Sequence, residues 1–521
     1  MVPTRKSFSI WLLVAFLVAG TLLFGLAIAI LPVGLAIGFG IVLILPFIAL
    51  LYFNQTYDTR AGLRALEYFF PIYIVFSIVW PRYLAFSFGG GPDITPARIM
   101  LAVLLLLWGW TLISPSCRRE LFVSIRQNKL FFGLLSGYIV WRFITAFFSE
   151  VLGLSMYQYV KELFEALLMG FIVISAVRTT DHLWRLLHLL MLATLVVILV
   201  GVVEKIINSN PFSHFLFHGF HFSNEYVEEA LADKTRSGKY RIESTFANPL
   251  LFVEYISFIL PIAISVAVMS PSRMYRWMGA LAVPGIVGLA AFTGSRSSLV
   301  VIALSLGLLG LLLVVRAIRM KQFARVVLMI SFGTPLLTAL VGTLMIWKGV
   351  DLSIVTGRSV DEMNSTHARL EMLNMAIPRF LEHPILGFGN GLAAEVLGFN
   401  AGTQLTIDNY YISLILDSGL PGLLLFLSLF FVAAYTGIKV KSVGNDNLAF
   451  LGGLLAMSIF SMLVVKSILS IPHNLPYLVI AAALTCRLAF LQGNVVQEKI
   501  MKEKQLTKFA RIPVKPFPQI R

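Results

Sequence analysis

Charge is scarce in this sequence. Only 13% of its 521 residues are Asp, Glu, Lys or Arg, while 58% are hydrophobic; soluble domains carry roughly a quarter charged residues. The shortage excludes an ordinary soluble domain and leaves lipid as the solvent. Acidic residues are scarcer than basic ones, 26 Asp and Glu against 41 Lys and Arg, for a formal net charge of +15. That excess does not indicate nucleic acid, because Lys and Arg sit in short loops between apolar runs instead of forming one basic surface. Cysteine is nearly absent, and Cys117 and Cys486 both fall on the expected cytoplasmic side. That placement argues against a structural disulfide. Missing too are a Walker pattern, paired thiols and a Ser/His/Asp order.

What remains is a succession of apolar runs, each long enough to cross a hydrocarbon core about 30 Å thick. They predict an all-α, polytopic transmembrane bundle of about 14 spans (12–14), centred near residues 20, 43, 72, 106, 139, 169, 195, 259, 285, 307, 337, 425, 458 and 482. Residues 9–53 carry no charge, and one helix cannot use that length, so the run is split at Leu31, Pro32, Val33 and Gly34. Arg5 and Lys6 precede an apolar run that continues past Pro32, which reads as a retained span, not a cleaved leader.

Orientation comes from the loops, since short cytoplasmic loops are enriched in Lys and Arg. One alternating set holds Arg60 and Arg64; Arg118, Arg119, Arg126 and Lys129; Arg178 and Arg185; Arg273 and Arg276; Arg316, Arg319, Lys321 and Arg325; Lys439 and Lys441. That set is assigned to the cytoplasm. By parity both termini join it, including a basic tail with Lys499, Lys502, Lys504, Lys508, Arg511 and Lys515. The expected organisation is an N-terminal transmembrane bundle (1–206), an extracytoplasmic loop (207–247), transmembrane helices (248–349), a large extracytoplasmic loop (350–407), C-terminal transmembrane helices (408–491) and the cytoplasmic tail (492–521).

Long loops tend to carry function, and both long ones fall outside the cytoplasm. In the second, Ser365 and Thr366 are candidate caps. Leu370, Leu373, Ile377, Phe380 and Leu381 then recur at near-helical spacing, with Arg369, Glu371, Arg379 and Glu382 between them. The pattern predicts an amphipathic helix lying on the membrane or over a cavity, kinked at Pro378. Gly387, Gly389 and Gly391 read as a tight turn, since no strand precedes them and no Lys-Ser/Thr follows.

Charged residues in or beside spans are functional candidates, because burying one in hydrocarbon costs about 2.5 to 3.5 kcal/mol even on insertion scales. Arg142, Glu165, Glu204, Glu254 and Arg296 qualify, with Lys161 and Lys466 near span ends. Arg142 and Glu254 read first as a structural ion pair. Asp408, opening the apolar run after the second loop, is either a helix N-cap or a general base at the membrane surface. Asn248 and Pro249 read as N-cap and first helical residue. Arg241, Arg296 and Arg369 all fall outside the cytoplasm; each is either a snorkelling side chain or a ligand for an anionic headgroup, for which the guanidinium fork is suited. His214, His218 and His221 lie close together, but with no Cys and no carboxylate before Glu225 they do not make a metal site.

Four segments in order carry a resemblance. They are Arg241-Ile-Glu-Ser-Thr-Phe-Ala-Asn-Pro249; Thr293-Gly-Ser-Arg-Ser-Ser298; Arg369 through Pro384-Ile-Leu-Gly-Phe-Gly-Asn-Gly391; and Asp408-Asn409 followed by Gly419-Leu-Pro-Gly422. Together they resemble the O-antigen ligase and Wzy-type polymerase superfamily of bacterial membrane glycosyltransferases. The last segment reproduces the ligases' spacing, His then Asn, Ser or Gln, nine residues, then Gly-x-x-Gly, but with Asp408 where the ligases have His.

The resemblance implies a GT-C-like inner-membrane protein that acts outside the cytoplasm on polyprenyl-diphosphate-linked oligosaccharides. By it Asp408 is the catalytic base, Arg241, Arg296 and Arg369 hold the donor diphosphate, and Asn409 joins the substrate site. It implies no cofactor and no metal, since arginines can neutralise the leaving group. The partners it implies are the lipid-linked oligosaccharide, a glycan acceptor, membrane lipids, a flippase and a chain-length regulator, with no nucleic acid. The Asp in place of His favours a polymerase of exopolysaccharide or O-antigen repeat units over a ligase to lipid A core. A transporter would need polar groups near the bilayer midplane, whereas here they crowd the outer side; a scaffold would tolerate loss of all three arginines.

Overall fold

The computed structural model describes residues 60–84, 95–213, 235, 240–319, 360–401, 404–440 and 446–510. The spans expected near 20, 43 and 337, Arg5 and Lys6, His214, His218 and His221, the loop start at 350–359 and the tail beyond 510 lie outside the described residues. The described chain is almost wholly helical: α1 (Arg60–Val79), α2 (Pro96–Ile113), α3 (Pro115–Gln127), α4 (Lys129–Phe147), α5 (Leu152–Glu162), a π turn (Leu163–Leu167), α6 (Met169–Ala176), α7 (Thr180–Ile207), α8 (Pro249–Met269), α9 (Arg273–Phe292), α10 (Arg296–Arg319), α11 (Val360–Glu382), α12 (Ala393–Leu397), α13 (Tyr410–Ile438), α14 (Asp446–Lys466) and α15 (Leu475–Ala510). Two-residue strands, Asn400–Ala401 and Gln404–Leu405, pair antiparallel in the loop before α13.

Nine of these helices are long and apolar enough to cross a membrane. They are α1, α2, α4, α7, α8, α9, α13, α14 and α15, each at an expected span. The span expected near 169 is α5 and α6 joined through the π turn, and the one near 307 is α10. The helices start where the sequence supplies caps. Thr95 accepts from Arg98 N–H and Thr179 from His182 N–H, and Asn248 caps α8 with Pro249 as its first residue. The basic tail from 492 is no separate unit at first, because α15 runs unbroken to Ala510.

The spans differ in what they face. Of the crossing windows of α8 and α15, 83% is buried, against 28% for α2 and α9. The first two form the centre of the bundle and the second two its rim, where Trp277 and Leu281 of α9 are exposed as lipid-facing side chains are.

Loops read as cytoplasmic gather at one end. There Arg178 donates to Glu120 at 2.6 Å, Arg487 donates to the Val177 carbonyl and the Ser124 hydroxyl, and Asn128 donates to the Cys486 carbonyl. The stretch 114–128 is itself mostly helix, with Leu121 and Ile125 packed on the core and Arg119, Phe122, Val123 and Arg126 exposed. At the opposite end Thr245 bonds the Ile78 carbonyl, Ile242 N–H the Phe292 carbonyl and Asn474 the Leu251 carbonyl. The described parts of both long loops sit here.

The expected amphipathic helix exists, with two corrections. It starts at Val360, so Ser365 and Thr366 lie inside it and not at its start. Its inward face is Met372 and Ala376, packed on Ile407, Ile412 and Leu416, whereas Leu370, Leu373, Ile377 and Leu381 are each about half exposed. The larger aliphatic stripe therefore points away from the protein, as on an interfacial helix.

Candidate functional site

At the end opposite the arginine-rich loops, a cavity of about 360 Å³ runs between α4, α5, α13 and the start of α15. Its polar lining includes Arg142, Gln158, Lys161, Glu162, Glu165, Thr406, Ser413, Asp417, Ser470 and His473, and its apolar lining includes Ile407, Tyr410, Leu475 and Pro476. Asp417 is the eighth residue of α13 and Glu162 the eleventh of α5, so at 1.5 Å rise per residue the cavity reaches about 10 to 15 Å into the bundle. The π turn places Glu165 on this wall. Leu168 N–H reaches back five residues to Leu163 O at 3.0 Å, and such bulges recur at functional sites. Arg98 of α2 meets Glu165 at 3.3 Å.

The charges are organised around Arg142. Its Nε and Nη2 both donate to Glu162 Oε2, at 3.1 and 2.6 Å. Its Nη1 stands 3.8 Å from Asp417 Oδ2 and has no hydrogen-bond partner among the described residues, although Arg142 is only 5% exposed. The sequence-based pairing of Arg142 with Glu254 is thus corrected: Glu254 pairs with Lys466 at 2.7 Å. The two acids lie on different helices, and nothing in spacing along the chain distinguishes them.

The glycine turn builds the cavity's floor. Gly387, Gly389 and Gly391 all have positive φ, as a tight turn requires. Phe388 N–H bonds Leu416 O and Gly389 N–H bonds Asp417 O, while the Asp417 carboxylate accepts from the N–H groups of Gly391 and Ala393, both at 3.0 Å. Asn390, fully buried, donates its side-chain amide to the Arg142 carbonyl. The turn can dock only because α13 breaks at Gly419, where φ is 66° and ψ −174°.

Asp408 stands beside this cavity, between lining residues Ile407 and Tyr410. It is not the cap of α13. Asn409 is, accepting from the N–H groups of Tyr411 and Ile412. Asp408 instead faces Arg369 of α11 at 3.7 Å, and each side chain is 36% exposed. At that distance the pair is Coulombic, not hydrogen-bonded. Arg369 Nε has no hydrogen-bond partner among the described residues. Partial burial pushes the Asp408 carboxyl above its ordinary range, and Arg369 opposes that rise.

Arg241 and Arg296 belong to a second neighbourhood. Arg241 Nε donates to Thr293 O at 2.9 Å, and its stem lies across Gly294, which has φ 59°. Two of the recognised segments therefore pack on each other, with Arg296 at the start of α10 two residues on. Glu204 holds the first of them in place, accepting from Tyr240 Oη and from the N–H groups of Glu243 and Ser244.

The two neighbourhoods meet through α8. Its Glu254 pairs with Lys466, whose ammonium lies 4.7 Å from the centre of the Tyr410 ring on the cavity wall. Arg82, after α1, acts electrostatically on both Glu254 and His473. Among the described residues no three His, Cys, Asp or Glu side chains stand together as metal ligands.

Of the expected site residues, then, Arg369, Asp408 and Asn409 come together at the rim of the cavity, and Arg241 packs on the Thr293–Gly294 turn that precedes Arg296. Glu162, Gln158, Asp417 and His473 line the cavity without having been singled out; a carboxylate inside the run Ile415-Leu-Asp-Ser-Gly419 was the available signal for Asp417. Comparison with curated proteins finds no match. Residues 280–427 match the family model described as O-Antigen ligase, a segment that contains Arg296, Arg369, Asp408, Asn409 and the glycine turn and leaves Arg241 outside. The chain is a polytopic helical membrane protein whose residues 280–427 are similar to the O-antigen ligase family.

Proposed function

We propose that this protein is a glycosyltransferase of the bacterial inner membrane that joins polyprenyl-diphosphate-linked repeat units into exopolysaccharide or O-antigen outside the cytoplasm. The observation that carries this reading is the Asp408–Arg369 pair, both residues within the matched segment, beside a polar cavity. Asp408 takes the proton of an acceptor hydroxyl as that oxygen attacks the anomeric carbon of the donor. Arg369, with Arg241 and Arg296, neutralises the departing diphosphate. Asn409 acts by fixing the start of α13 and so the position of Asp408. Electroneutrality at the leaving group comes from guanidinium groups in this scheme, so it invokes no metal. Flippase and chain-length regulator proteins are the expected partners in the membrane.

The test is reconstitution. Purified protein given lipid-linked repeat units from the source strain is expected to produce longer lipid-linked glycans. Transfer to lipid A core instead would make it a ligase, and uptake into vesicles with no new glycosidic bond would replace the enzyme by a transporter.

A further inference from the structure

At the arginine-rich end of the bundle, we infer that α3 lies in the membrane surface and holds the phosphate of an anionic phospholipid from that leaflet. The inference stands on α3 and its neighbours and does not depend on the glycosyltransferase reading. α2 and α4 are both long and apolar enough to cross the membrane, and α3 is joined to them by one residue each, Ser114 and Asn128. Connectors that short keep both ends of α3 at the membrane boundary. The two spans also carry exposed apolar side chains, Ile99 and Val103 on α2, and Leu130, Val140, Phe143 and Phe147 on α4. α3 therefore borders lipid.

Its two faces differ. Inward, Ser124 accepts from Arg487 Nη1 at 2.9 Å, Asn128 donates to the Cys486 carbonyl, and Leu121 and Ile125 pack on the core. Outward, Arg119, Phe122, Val123 and Arg126 are all exposed, at the i, i+3, i+4, i+7 spacing of a single helical face. Arg119 and Arg126 are two turns apart, about 10 Å along the axis, with Phe122 and Val123 between them. With Arg118 and Pro115, this face lines an open hollow of about 430 Å³. Phe122 is 62% exposed and Leu130, at the start of α4, is 61% exposed, so the apolar patch extends past the hollow toward the lipid-facing side of α4.

The charge here is of one sign. Arg118, Arg119 and Arg126 are the charged residues that line the hollow. Glu120, the single acid of α3, is held by Arg178 at 2.6 Å, and Arg178 also faces Glu67 at 3.6 Å. The adjacent ends of the elements packed on α3 contribute Lys129 of α4, Arg178 after α6 and Arg487 of α15, all cationic. A bias of basic residues toward one side of the membrane accounts for arginines at this end, but not for an exposed Phe and Val held between them. An anionic phospholipid suits both. Its phosphate takes the guanidinium groups, its acyl chains cover Phe122, Val123 and Leu130, and the arginine stems run along that apolar surface with their heads at phosphate level. A soluble phosphate would satisfy the arginines and leave Phe122 and Val123 in water.

The test uses full-length protein in an uncharged detergent, with dioctanoyl phosphatidylglycerol as the probe and bound lipid counted by native mass spectrometry. Arg119→Gln combined with Arg126→Gln is expected to weaken binding about 25-fold, each basic side chain at an anionic surface being worth about fivefold. Phe122→Ser is expected to weaken it about tenfold with the charge intact, the weight of one buried aromatic side chain. Arg273→Gln combined with Lys439→Gln removes the same charge from two other loops at that end and is expected to bind as wild type does. All five residues are exposed, so the variants are expected to keep the wild-type unfolding temperature. No binding by wild type, or unchanged binding when Arg119 and Arg126 are replaced, overturns the inference. Equal weakening when Arg273 and Lys439 are replaced overturns it as well, by reducing the hollow to general attraction. Equal retention of dioctanoyl phosphatidylcholine, which carries phosphate without net charge, removes the preference for an anionic lipid. Displacement of the lipid by inorganic phosphate at equal concentration makes the hollow a site for soluble anions instead.

Discussion

Lys466 and Glu254 form an ion pair at 2.7 Å with both side chains wholly buried, one on α14 and the other on α8. The ammonium also donates to the Ile471 carbonyl at 2.9 Å, so it holds together the turn that leads into α15. Removing one partner leaves a charge stranded inside the bundle, which typically costs about 3 to 5 kcal/mol. Glu254→Ala is therefore expected to lower the thermal unfolding temperature of the purified protein sharply. Glu254→Leu combined with Lys466→Leu is expected to recover much of the loss, since a well-packed apolar pair is often no worse than a buried ion pair. A double variant that folds and yet makes no glycan would show that the pair serves the site as well as the fold.

Asp408 differs from its neighbour Asn409 in having no capping duty. Asp408→Asn is therefore expected to leave the unfolding free energy within about 1 kcal/mol of wild type while activity falls by about two to four powers of ten, the usual weight of a general base. With Asp408 as the proposed base, wild-type activity is expected to require the carboxylate and to be lost on acidification. Because partial burial raises the Asp408 pKa, the midpoint of that loss lies above the ordinary carboxylate range. Arg369 opposes the rise; Arg369→Met removes that opposition, so the acid limb moves to higher pH. Asp408→His installs an imidazole in place of the carboxylate, and its midpoint is expected near 6.5, the ordinary value for imidazole. Activity of the Asn variant equal to wild type would eliminate Asp408 as the base.

How far the sequence foretold this arrangement depends on the range of the interaction. Spans were legible because hydropathy is local: the runs around 72, 259 and 425 each name their own helix. Caps were legible for the same reason at Asn248, but the choice between Asp408 and Asn409 turned on one backbone register that composition does not encode. Arg142 lies 275 residues from Asp417 along the chain, and its true partners could not be separated from Glu254 before the helices were packed. On α11 the apolar stripe was visible and its direction was not, because Met372 and Ala376 offer a second, smaller stripe at the same spacing. Membrane helices make this ambiguity general, since lipid and core both accept the same aliphatic side chains.

Asp417 joins the cavity to its floor. Two backbone N–H groups of the glycine turn end on its carboxylate, and Arg142 approaches from the other side. Asp417→Ala strands those donors, at about 1 to 3 kcal/mol for buried groups left unpaired. The expected outcome is faster proteolysis within 383–393 together with loss of activity. Asp417→Asn keeps an acceptor for one N–H and is expected to retain partial protection. Cleavage at the wild-type rate in the alanine variant would mean that the turn is held by its backbone bonds to Leu416 and Asp417 alone.

Gly419 is where the site's local geometry is most exposed to a single atom. With φ 66° and ψ −174° it occupies backbone space that an L side chain rarely adopts, and a Cβ there would collide with the Ile385 carbonyl. Both penalties fall on Gly419→Ala: the strained backbone, about 1 to 3 kcal/mol, and a clash with backbone that has no flexible end to move aside. The α13 break is also what lets Leu420 N–H bond the Pro384 carbonyl and Trp141 bond the Ser418 carbonyl, both at 2.9 Å. Straightening α13 would separate the glycine turn from Asp417 and open the cavity floor. Gly419→Ala is accordingly expected to lower both the unfolding temperature and glycan output, and to do so more than Gly398→Ala, whose φ is also positive at 69° but whose Cβ would meet nothing within 4 Å. Equal effects at the two glycines would place the cost in backbone conformation alone and leave the Ile385 contact without a role.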